Sequence, residues 1–189
     1  TQLVYIEILL NQSENIEINE IIQKTKLSRM TINRAMRELI QLGVVYTNGK
    51  NTRKEYKRLE KEKYWSIGKE HLKSPVKKTI WINQEKIDET YAGDSALEHL
   101  TMMNAVEYKV YAIDKRNIDK YISYEIPEQS QNCCKVEIWN YDPRLFVDGN
   151  NNVDIISLYS SFMNFDDERV HIELEELMEE YLNDRIRKI

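Results

Sequence analysis

Residues 24–43 read KTKLSRMTINRAMRELIQLG, and their pattern decides how the first part of this 189-residue chain folds. Ile32, Ala35, Met36, Leu39 and Ile40 recur at helical spacing and make one apolar stripe. The opposite side carries Arg29, Met30, Asn33, Arg34, Arg37 and Gln41. Ser28 stands just before the stripe, where its side-chain oxygen can accept from a first-turn amide, and predicts the N-cap. Gly43 follows the last turn and predicts a left-handed stop. The helix expected here runs over 29–42.

Upstream, 3–10 reads as a helix with apolar residues nearly all round, and 11–15 as a polar turn. Ile18, Ile21 and Ile22 place a short second helix over 18–25, joined to the third by the tight Lys26-Leu27-Ser28 connection. Downstream, 44–47 alternates as a strand does, Asn48-Gly49 supplies hairpin turn chemistry, and 53–59 reads as the returning strand.

Three short helices followed by a hairpin is the element order of a winged helix-turn-helix, expected over 1–63. In such a module the third helix stands clear and fits the major groove, which is about 12 Å wide. Its leading half then meets base edges and needs donors and short polar groups. The chain supplies Ser28, Arg29, Thr31, Asn33, Arg34 and Arg37. Arginine forks onto guanine and asparagine pairs with adenine. Lys50, Arg53 and Lys54 of the hairpin are expected along flanking phosphates or in a minor groove. Double-stranded DNA is the partner these residues imply.

Charge points the same way once the chain is divided. The net charge is −5, yet residues 1–78 hold 16 Lys and Arg against 9 Asp and Glu, while 79–189 hold 11 against 23. A basic first part joined to an acidic second part suits a phosphate-seeking module followed by a different kind of domain. The charged stretch 64–78, with its Ser74-Pro75 break, reads as a linker between them.

Beyond it, strands are expected at 79–82, 109–113, 123–126 and 135–139, and helices at 95–103, 118–121, 154–162 and 168–186. This is a mixed α+β domain over 79–189 with largely antiparallel strands, so the fold class of the whole is α+β. The last helix places Val170, Leu174, Leu177, Met178 and Tyr181 on one side and glutamates around the rest. Such a helix either docks on its own domain or serves as an interface, for a second copy (a homodimer) or for a protein partner with a basic surface.

The residues predict no enzyme, no cofactor and no metal site. His99 and His171 sit apart, His71 lies in the linker, and none belongs to a zinc-binding helical pair. Gly93-Asp94-Ser95-Ala96-Leu97 begins like a nucleophile elbow but lacks the closing glycine, so Asp94 is read as a helix cap. Asp142, Asp148 and Asp154 lie among Pro143, Gly149 and three asparagines, which is turn chemistry. Adjacent Cys133 and Cys134 close no useful loop and are expected as reduced thiols; a vicinal disulfide switch is the alternative. With no apolar run of membrane-spanning length and no secretory leader visible, the expected location is the cytoplasm.

From Lys24-Thr25-Lys26-Leu27-Ser28 through Leu39-Ile40-Gln41-Leu42-Gly43 the chain resembles MarR-like winged-helix repressors. Those regulators often carry Gly where this chain has Lys26, in a turn that calls for positive φ. The segments Ser74-Pro75-Val76-Lys77-Lys78, Ala92-Gly93-Asp94-Ser95-Ala96-Leu97 and Tyr141-Asp142-Pro143 resemble AbiEi-type antitoxins and related winged-helix proteins. That resemblance implies a repressing first domain, and a second domain that helps to neutralise a nucleotidyltransferase-like toxin.

Overall fold

Apolar residues on every side of the first helix predict that it is enclosed, and α1 (Gln2–Leu10) is buried from Val4 to Leu9. The computed structural model describes residues 1–49, 55–84, 86–103 and 107–183. Around α1 pack α2 (Ile18–Thr25) and α3 (Arg29–Gln41). The α3 stripe points inward as the spacing requires: Ile32, Ala35, Met36 and Leu39 are all buried. Gly43, at φ +80, turns the chain out of the helix. An ion pair ties α1 to α2, with Lys24 Nζ 2.8 Å from the buried carboxylate of Glu7.

Three antiparallel strands complete this part, β1 (Asn15–Ile16), β2 (Val45–Asn48) and β3 (Glu55–Arg58), in the order β1-β3-β2. β1 falls where the sequence predicts only a polar turn. Two residues that add a strand to a hairpin carry no periodicity of their own. Asn48 pairs with Glu55, so Asn48 belongs to the ladder and the two-residue turn expected at Asn48-Gly49 is not formed there. The returning strand is described from Glu55 onward.

The expected linker over 64–78 is the main correction to the first part. Lys61–Gly68 forms α4, a 3-10 turn follows at Lys69–His71, and Val76 already opens the next strand. Tyr64 and Trp65 are buried, and α4 packs against α1. The lysines and glutamates of this stretch mask a helix whose few large side chains do the packing. The chain accordingly divides into two compact units, Thr1–Leu72 and Lys73–Ile189. Lys73, Lys77 and Lys78 then belong to the second unit.

That unit is built on a five-stranded sheet of β4 (Val76–Ile82), β5 (Thr90–Tyr91), β6 (Val110–Asp114), β7 (Glu125–Ile126) and β8 (Cys134–Trp139), ordered β5-β6-β8-β4-β7. All neighbours are antiparallel except β6 and β8. A parallel pair needs a long return, and 115–133 supplies it, with 3-10 turns at Lys115–Lys120 and Ile122–Tyr124. The first of these turns replaces the helix expected at 118–121.

Alternation along β8 sorts its side chains onto two faces. Cys134, Val136 and Ile138 join Ile80, Ile82, Tyr111 and Ile113 on one side. On the other, Trp139 and Ala112 are covered by residues of α5 (Gly93–Leu100), α6 (Ile155–Ser161) and α7 (Glu168–Leu182), among them Leu97, Leu158 and Leu174. In α7, Val170, Leu174, Leu177 and Met178 are buried, so this side of the glutamate-rich helix docks on its own unit. Both cysteines are free and buried, and burial pushes the Cys134 thiol up to about 12.

Asp94 is not the cap of α5. The helix starts at Gly93, two residues earlier than an Asp94 cap would place it, with Ala92 at the N-cap and no side-chain cap bond. Gly93, at φ +48, makes that entry, and a Cβ there would stand 2.9 Å from Glu137 Oε1. Ser95 Oγ accepts from the Val110 amide at 2.8 Å, which fixes the helix to β6 and commits the hydroxyl.

Candidate nucleic-acid interface

Local chemistry sets α3 on the body. The α2–α3 turn passes through Lys26, which adopts the left-handed conformation at φ 58, ψ 16 and donates its amide to Ile22 O. This is the positive φ that the lysine-for-glycine departure flags in the sequence. Ser28 then caps α3, accepting from the Thr31 amide at 3.2 Å. Its hydroxyl also shares a 2.9 Å hydrogen bond with Thr31 Oγ1. Ser28 and Thr31 are thus engaged with each other at the start of the helix.

Ser28, Arg29, Thr31, Asn33, Arg34 and Arg37 are all exposed. Asn33, Arg34 and Arg37 lie at i, i+1 and i+4 on the side of α3 opposite the buried stripe. Arg29 stands to one side and donates from Nη2 to Asn19 Oδ1 at 2.8 Å, at the start of α2. Arg34 Nε lies 3.4 Å from Glu38 Oε1, an ion pair one helical turn apart with the arginine 83% exposed. Exposed pairs of this kind are worth about 0.3–0.5 kcal/mol, whereas a bidentate arginine–guanine contact discriminates by about 1–3 kcal/mol. The Glu38 pairing is therefore easily exchanged for a stronger acceptor.

Beside Arg29 a groove of about 370 Å³ opens, lined by Asn15, Glu17, Asn19, Arg29, Glu55 and Tyr56 among others. It brings the start of α2, the front of α3 and the β1–β3 edge to one place, a grouping with no signature in the sequence. Asn19 is the residue sequence reasoning missed; its separation from Arg29 hides the pairing. Lys50, Arg53 and Lys54 lie outside the described residues.

Elsewhere the polar groups that invite a catalytic reading have structural work. Asp142 accepts from the Arg144 amide, Asp148 from those of Asn150 and Asn152, and Asp154 from those of Ile156 and Ser157. His99 Nδ1 is 2.8 Å from Asn152 Oδ1, and His171 Nε2 is 2.6 Å from Phe165 O. Among the described residues no group of His, Cys, Asp and Glu is arranged to hold a metal, and no helix is long and apolar enough to cross a membrane.

Compared with protein-family models, with curated proteins and with solved structures, the chain matches none.

Proposed function

We propose that the first unit is a winged helix-turn-helix and that the protein is a sequence-specific DNA-binding transcriptional repressor of the cytoplasm. The observation that carries the reading is the outward side of α3, where Asn33, Arg34 and Arg37 are exposed opposite a buried apolar stripe. Forked and amide donors on a helix that follows a short turn are what major-groove readout requires. The sheet of β1, β3 and β2, whose last two strands follow α3 in the chain, supports a wing, and Lys50, Arg53 and Lys54 fall between those two strands in the sequence. The resemblance of 24–43 to MarR-like repressors agrees with this reading.

The test is a gel-shift titration on the DNA upstream of the chain's own gene. Arg34→Ala and Arg37→Ala should each weaken specific binding by about 1–3 kcal/mol and spare binding to unrelated duplex. Unchanged affinity in both variants would show that α3 is not the reading helix.

A second reading is an interaction protein, an antitoxin by the resemblance of the later segments, that neutralises a nucleotidyltransferase-like partner. It is favoured by the outer side of α7, where Glu175, Glu176 and Glu179 are exposed together with Ile172. An acidic face with an apolar residue suits a basic protein surface, or a second copy presenting one. Co-expression with the neighbouring gene product followed by co-purification separates the two readings.

A further inference from the structure

We infer that Met30 is a specificity-determining residue that reads the 5-methyl group of a thymine, an inference that rests on α3 being the recognition helix. Met30 is 81% exposed, a large apolar side chain in the first turn of a helix whose outward side is otherwise polar or charged. It shares that side with Asn33, Arg34 and Arg37, which follow it at i+3, i+4 and i+7. In the free chain the neighbouring groups hold partners of their own, Ser28 and Thr31 each other and Arg29 Asn19, and Met30 is the one large apolar side chain among them. The front of the reading face therefore offers one long apolar group.

In the major groove the apolar feature of a base pair is the thymine methyl, and apolar side chains meet it. Methionine is unbranched and polarizable, so it adapts to such a contact without a preformed pocket. With Asn33 one turn further along α3, suited to adenine, the face is matched to a site containing an A·T pair where the helix enters the groove.

The experiment uses the full chain and a duplex selected from a random pool by the wild-type protein. Each thymine of the selected site is replaced in turn by deoxyuridine, which removes only the methyl. One position should lower wild-type affinity about fourfold, the equivalent of ~0.8 kcal/mol for one buried methyl. Met30→Ala should bind the thymine site more weakly and lose the difference between the two bases there, while Met30→Leu should keep it. A thymine-to-deoxyuridine ratio unchanged in Met30→Ala at every position would overturn the inference and leave the recognition helix standing. Failure of the wild type to select any sequence would overturn both. Circular dichroism on each variant establishes that the fold persists, as expected for a solvent-facing side chain.

Discussion

Tyr5 and Tyr64 each donate a hydroxyl hydrogen bond of 3.3 Å to the other's backbone carbonyl, with their rings stacked at 4.6 Å. The reciprocity pins α4 to α1 and satisfies two phenols that burial would otherwise penalise; both hydroxyls are held well above their ordinary titration range by desolvation.

Gly68 is the price of that contact. A Cβ there would lie 2.1 Å from Tyr5 Cε2, inside a ring that its own hydrogen bond and stacking hold in place. Helix propensity alone would favour alanine by about 1 kcal/mol. Overpacking should win, so Gly68→Ala is expected to destabilise by about 1–3 kcal/mol in urea unfolding. Combined with Tyr5→Ala, the two losses should fall short of their sum.

Lys26 carries backbone strain that glycine would relieve. A side chain in the left-handed region costs about 1–2 kcal/mol, partly offset by the greater unfolded-state freedom of glycine. Lys26→Gly should therefore stabilise by up to about 1 kcal/mol, and Lys26→Val should destabilise by more than that. Denaturant midpoints with unchanged slopes would check both.

Burial raises the Glu137 carboxyl from 4.5 to about 7, only partly countered by the hydrogen bond from Trp139 Nε1 at 2.9 Å. Below pH 4.5 both folded and unfolded forms hold the proton. Between pH 4.5 and 7 the unfolded chain releases it while the folded chain keeps it, so stability falls as pH rises and then levels off. The loss is on the order of 3 kcal/mol. Asp154, raised to about 6, adds a slope of the same sign. Glu137→Gln, which can still accept from Trp139, should match the wild type near pH 4 and exceed it at pH 8. Unfolding midpoints across that range decide the matter, and equal midpoints at pH 8 would refute it.

If the cations of 50–54 meet phosphates, replacing Lys50, Arg53 and Lys54 together with alanine should flatten the plot of log affinity against log salt. Each lost contact removes about 0.9 from the slope. The order of preference among DNA sequences should stay as it is.

α2 and α3 were legible because their apolar residues keep one period: both lie within a residue of where Ile18, Ile21, Ile32 and Leu39 place them. The mixed character of the second unit was legible too, from the strand-like run at 135–139 and the helical segment at 154–162. What escaped has a physical cause. α4 carries no helical signature in the sequence because its fixed points, Tyr64, Trp65 and Gly68, are spaced among charges and act through Tyr5, far away in sequence. β1 and β5 are two residues long and exist only by pairing. In the candidate site, the exposed side of α3 could be read from its stripe, but the engagement of Ser28 with Thr31 and of Arg29 with Asn19 could not.

Arg58 is buried; one Nη donates to Leu59 O at 2.8 Å and the other to Gln12 O at 3.5 Å. The root of the β2–β3 hairpin is thereby riveted to the turn after α1, the same helix that carries α3. Gauge between hairpin root and α3 is thus a fixed property of the unit, like the span of a caliper locked at one setting. If the unit grips DNA as proposed, a duplex whose groove spacing departs from that setting would have to twist or bend, and its stiffness would enter the choice of site.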